Sequence, residues 1–143
     1  MALEDKELPE GFQPDERVVQ LVSERLTDGK LACASAFAIA TALSVPPLTV
    51  GRTADLLGIH LTRCQLGLFG YPGKQGWTQE NAAGLAVPSG LIEAIEQARS
   101  DTGNLACARA WEIAWQFKVS RMQVGYLADQ LGIHISPCQL GAF

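Results

Sequence analysis

Several signatures of chemistry are missing from this chain. It has no Walker loop, no glycine-rich phosphate cradle behind a strand, no nucleophile elbow and no His-Glu-x-x-His. Those absences remove phosphoryl transfer on a P-loop, dinucleotide binding, serine hydrolysis and zinc proteolysis as first readings. Cys-x-x-Cys is also absent, although the chain has 4 cysteines. The N-terminus is acidic and lacks an apolar h-region, so no signal peptide is expected. Charge is missing from one long run: Leu31 to Gly51 has none over 21 positions, which raises the question of a membrane span. Pro46-Pro47 interrupts that run.

What the chain does have is a copy of itself. Gly29–Phe69 and Gly103–Phe143 align without a gap at an offset of 74, with 22 of 41 paired positions identical. Shared are Gly-x-Leu-Ala-Cys-Ala-x-Ala, Ile-Ala, Val-Gly-x-x-Ala-Asp-x-Leu-Gly-Ile-His and Cys-Gln-Leu-Gly-x-Phe. An ungapped repeat of this length implies one folded unit made twice, so each proposed role can be tested in both copies. The membrane question is settled this way. The second copy carries Arg109, Glu112, Lys118 and Arg121 in the corresponding run, so no membrane span and a cytoplasmic protein are expected. A duplicated acid–base pair has no material either, because Asp55 and Asp129 are the one carboxylate pair both copies keep. The protein is expected to be non-enzymatic, with no cofactor.

The net charge of −4 is uneven. Residues 1–16 sum to −5, whereas Gly29–Phe69 sums to +2 and Gly103–Phe143 to +1. Mildly basic repeats leave nucleic acid open without demanding it. The organisation expected is an acidic lead-in at 1–16, repeats at 17–69 and 90–143, and a Gly/Pro-rich linker at 70–89.

Within each repeat the pattern is helical. A lead-in helix is expected over Arg17 to Thr27 and over Leu91 to Arg99, the latter with Ser89 as N-cap. A second helix is expected over Leu31 to Leu43 and over Leu105 to Phe117, then a sharp turn at Ser44-Val45 and Lys118-Val119. The third helix starts at Pro46 or Pro47, and in the second copy behind Ser120-x-x-Gln123, a capping-box spacing. Both third helices stop at Leu-Gly, and the alternating Ile59-His60-Leu61 and Ile133-His134-Ile135 read as short strands.

The second and third helices resemble the helix-turn-helix motif. Ile39-Ala40, Leu43, Val45 and Val50 match its skeleton, as do Ile113-Ala114, Phe117, Val119 and Val124. The family usually has glycine in the turn, where this chain has Ser44 and Lys118, so a left-handed backbone is expected at both. The resemblance implies a mainly α fold: two tandem helix-turn-helix-like three-helix repeats with short β segments, in a pseudo-two-fold arrangement. It implies a DNA-binding, transcription-associated regulator whose partner is double-stranded DNA. On the motif's reading face lie Pro46, Pro47, Thr49 and Arg52 in one copy, and Ser120, Arg121, Gln123 and Tyr126 in the other. Arg52, Thr49, Arg121, Gln123 and Tyr126 are the candidate contacts. The short strand after the third helix would begin a wing or link the two copies.

Two alternatives stand beside this reading. A protein-interaction module would bind another protein and no nucleic acid, as a pseudo-dimer within one chain or a further homo-oligomer. A metal or redox sensor would use Cys33, His60 and Cys64 with Cys107, His134 and Cys138, each triad one ligand short of zinc. Against the sensor, Cys33 and Cys107 lie on the apolar helix stripe, where a thiol acts as a small hydrophobe.

Overall fold

An aspartate opens the first helix in the computed structural model, which describes residues 11–71, 77 and 85–142. Asp15 is extended, and its carboxylate accepts a hydrogen bond from the Arg17 backbone N–H at 2.8 Å, capping α1 (Glu16–Glu24). Val18 and Val22, one turn apart, are fully buried where α1 meets α2 (Cys33–Leu43) and α3 (Pro47–Leu56). Ile39, Ala40, Val50 and Ala54 fill the space between those helices. Small alanines at the crossing let the two axes approach closely, while valines and isoleucine supply the buried apolar area.

The helices end by local rules. Ser44 takes a left-handed backbone (φ 55°, ψ 43°), the Val45 N–H donates to the Ala40 carbonyl at 3.0 Å and the Ser44 N–H to Thr41 at 3.3 Å. This is a Schellman stop, which satisfies orphan carbonyls and reverses the chain. Between α2 and α3 the path bends by 117°. Pro46 caps α3 and Pro47 opens it, where a missing N–H costs nothing. At the far end Gly58 is left-handed (φ 70°), and the Ile59 N–H donates to Ala54 at 2.9 Å.

The order recurs further along the chain. Helix α4 (Leu91–Gln97) lies against α5 (Cys107–Phe117) and α6 (Arg121–Gln130). Lys118 is left-handed (φ 56°, ψ 40°) and Val119 donates back to Ala114 at 3.0 Å. Two expectations about caps need correction. Gly90 (φ 86°), rather than Ser89, occupies the N-cap of α4. Ser120 does accept from the Gln123 N–H at 3.0 Å, but the reciprocal arm of a capping box is missing. The Gln123 side chain donates to the Ala86 carbonyl at 2.7 Å instead.

The strands also differ from expectation. Leu31–Ala32 forms β1 ahead of α2 instead of its first turn, and pairs in parallel with β2, Leu61–Thr62. Leu31 lies opposite Leu61 and Ala32 opposite Thr62. Leu105 and Ile135 make a single parallel bridge in the same manner. β2 therefore neither starts a wing nor links the copies, because its partner lies just ahead of α2 within the same unit. The described chain is mainly helical, with six helices and one short two-stranded sheet. No single helix among the described residues is long and apolar enough to cross a membrane.

The chain divides into two compact units, and the division is not the one the repeat suggests. Described residues 11–64 and 139–142 form the first, and those from 65 to 138 form the second. The Gln-Leu-Gly segment that ends each sequence copy thus belongs to the unit built mainly from the other. In the first unit, Leu140 lays its carbonyl on Gly51 so closely that a Cβ there would lie 1.7 Å from the oxygen. In the second, the Leu66 carbonyl meets Gly125, where a Cβ would lie 2.1 Å away. The Val-Gly and Gln-Leu-Gly identities are two sides of one backbone-to-backbone approach that only glycine permits. Phe143 and most of the acidic lead-in lie outside the described residues.

Candidate functional site

The five residues expected to read DNA have divergent environments. On α3, Thr49 and Arg52 are half-buried, and the Thr49 carbonyl accepts the Thr53 hydroxyl at 2.8 Å. On α6, Gln123 is 7% exposed and held by its bond to Ala86. Tyr126 is half-buried, edge-on to Trp77, with ring centroids 6.0 Å apart at 73°. Trp77 is itself buried and lies beside Gly67. Gln123 and Tyr126 are therefore directed at neighbouring chain segments and not at an open face, which corrects the expectation for both. Arg121 alone of the five is exposed.

The repeated cysteines and histidines do not converge. Cys33, Cys64 and Cys107 are buried, Cys138 is half-buried, and none of the four is in a disulfide. His60 and His134 are exposed. Among the described residues no three His, Cys, Asp or Glu side chains are grouped so as to hold a metal ion. The triads Cys33, His60, Cys64 and Cys107, His134, Cys138 are thus not assembled as ligand sets, which corrects that alternative. Cys33 and Cys107 open α2 and α5 from inside the packed face, where a thiol serves as a small apolar group.

A different constellation lies on the second unit. An open cleft of about 610 Å³ runs along α5 to the start of α6, lined by Arg109, Trp111, Glu112, Trp115, Gln116 and Arg121. Helical spacing assembles it: Trp111 and Trp115 are one turn apart, and Arg109, Glu112 and Gln116 follow at three and four residues. The Lys118 turn then brings the first residue of α6 back over α5. The Arg121 guanidinium lies 3.6 Å from the centroid of the Trp111 ring. It also donates to the Gln65 side-chain oxygen at 3.3 Å. Stacking on an indole holds the planar fork in place while most of its N–H donors stay available. Arg109 pairs with Glu112 on the rim. Trp115 is 85% exposed, an extreme value for the residue type that most often anchors interfaces.

Sequence reasoning picked out Arg121 but overlooked the rest of this face, although one signal was available. At all six lining positions the first copy has a different residue: Ser35, Phe37, Ala38, Thr41, Ala42 and Pro47. The framework is shared and the cleft is not. Comparison with known families, curated proteins and solved structures finds no match to this chain. The functional reading therefore stands on the geometry.

Proposed function

We propose that this is a non-catalytic protein-interaction module built from two fused helix-turn-helix-like repeats, with the α5–α6 face of the second unit as its binding surface. The helix-turn-helix reading is supported by an eleven-residue helix, a left-handed turn residue and a ten-residue helix occurring twice. The 117° bend falls in the range the motif uses. The observation that carries the interaction reading is the occupancy of α6. Leu66 lies on Gly125, Ala86 takes the Gln123 amide, and Trp77 takes the Tyr126 ring. A helix is about 10–12 Å across and the major groove about 12 Å wide, so a helix with chain laid along its flank enters poorly. Recognition chemistry is instead concentrated around Trp115 and Arg121. A cytoplasmic setting agrees with four cysteines of which none is bridged.

The test is direct. Fluorescence anisotropy with mixed-sequence duplex DNA at low ionic strength is expected to show no binding. Binding whose constant falls steeply with salt, linearly on a log–log plot, would restore the DNA-binding reading. Peptide-display selection on the intact chain is expected to yield binders that Trp115→Thr releases.

A further inference from the structure

We infer that the cleft on α5 and α6 takes an acidic peptide segment, with one carboxylate on the Arg121 fork and an adjacent apolar side chain on Trp115. This rests on the interaction-module reading and adds the chemistry of the partner. Three observations carry it. First, the face is locally positive on a chain of net charge −4: Arg109 and Arg121 line it against one acid, Glu112. Glu112 is already paired with Arg109, so the carboxylate demand of the face falls on Arg121. Second, Arg121 is preorganised. Its stacking on Trp111 and its bond to Gln65 fix the plane of the guanidinium before a ligand arrives, which lowers the entropic cost of a bidentate carboxylate contact. Third, Trp115 stands one turn beyond Trp111 and leaves nearly its whole indole in water. It offers a flat apolar anchor beside the charge.

The sequence repeat supplies an internal control for this reasoning. A helix of this architecture does not need these side chains, because the first copy builds the same length of helix with Ser35, Ala38, Thr41 and Ala42. Burial does not explain them either, since Arg109, Glu112, Trp115, Gln116 and Arg121 are all exposed. The open cleft of about 610 Å³ has room for a few side chains of a partner. Nucleic acid is the poorer fit. The Trp111 ring is covered by Arg121, which leaves a single indole for base stacking.

The experiment uses the intact chain and defined probes. One library of twelve-residue peptides carries two glutamates flanked by Leu, Pro or Phe, and a matched library carries lysines in their place. A single-stranded oligothymidine is the third probe. Glutamate peptides are expected to bind and to weaken about tenfold or more with Trp115→Thr and with Arg121→Gln, since loss of a central anchor or charged contact is of that order. Ser35→Ala in the first unit is expected to leave binding unchanged. Trp115 is so exposed that its replacement does not perturb folding, which circular dichroism checks. Binding of the lysine library through Trp115 would overturn the partner's charge while leaving an interaction module in place. Binding of oligothymidine in preference to either peptide set overturns the inference, as does the absence of any peptide binding. Duplex DNA binding in the earlier experiment would remove the underlying reading as well.

Discussion

Helices α2 and α5 are built to one plan and present opposite surfaces. Each starts on a buried cysteine, runs for eleven residues and ends on a left-handed residue that carries a β-carbon, Ser44 or Lys118. Inward, Ala36, Ile39 and Ala40 answer to Ala110, Ile113 and Ala114. Outward, the first shows Ala38, Thr41 and Ala42 to solvent and the second shows Glu112, Trp115 and Gln116. Interiors are close-packed, so a change there is felt at once, whereas exposed positions vary at little cost. The contrast teaches where to look for function in a chain whose sequence repeats: at the exposed positions where the two segments part.

The strongest way to break the comparison is through the glycines both units share. Gly51→Ala and Gly125→Ala each drive a Cβ into a backbone carbonyl, of Leu140 and Leu66 respectively, so the segment must move away. The clash outweighs the roughly 1 kcal/mol that alanine adds in a helix, leaving a net loss of up to about 2 kcal/mol each. Chemical denaturation checks this, and one variant costing far less than the other would show that the two contacts are not equivalent. A second test separates the units. Gln123→Ala removes the bond to Ala86 and is expected to cost about 1 kcal/mol, while Thr49→Ala at the matched place on α3 stays within about 0.5 kcal/mol. Equal losses would mean that the Ala86 contact contributes nothing.

Smaller effects sharpen the picture. Ser44→Gly and Lys118→Gly are each expected to stabilise by about 0.5–1 kcal/mol in thermal melts. A left-handed backbone penalises a β-carbon by about 1–2 kcal/mol, and glycine's entropy returns part of that. A loss of stability in either would mean that the side chain has an unrecognised role. The smallest effect belongs to α1. The bond from the Arg17 side chain, and then that from its backbone, hold the Asp15 carboxyl below its usual range. A lowered folded-state pKa means stability that is present above the unfolded value and lost as pH falls through the folded one. The protection of amides in the first turn of α1, measured relative to their intrinsic exchange rates, is expected to fall in acid for the wild type and to show no such dependence for Asp15→Asn.

Much of the local architecture was legible. The left-handed turns at Ser44 and Lys118, the Leu-Gly stops and the proline start of α3 all follow from bonds spanning four or five residues, which a short window of sequence contains. Leu31 and Leu105 misled because a helical stripe and a short buried strand share an apolar first residue. Gln123 misled for another reason. Its spacing fits a capping box and a reading face equally well, and its actual partner, Ala86, lies 37 residues away. The cleft was hidden by the same logic that found the repeat, since attention to what the copies share passes over what only one of them has.

By itself the sequence determined the helical pattern of two similar segments, the turns at Ser44 and Lys118 and the Leu-Gly stops. Tertiary structure alone decided which Gln-Leu-Gly segment fills which unit, that Gln123 and Tyr126 turn inward, and that Arg121 settles on Trp111 beside an exposed Trp115. The physical reason is range. Helix caps and turns are closed by near neighbours and are written in local residue order. Two identical segments, by contrast, fit either groove equally well on paper, and only the path of the folded chain assigns them.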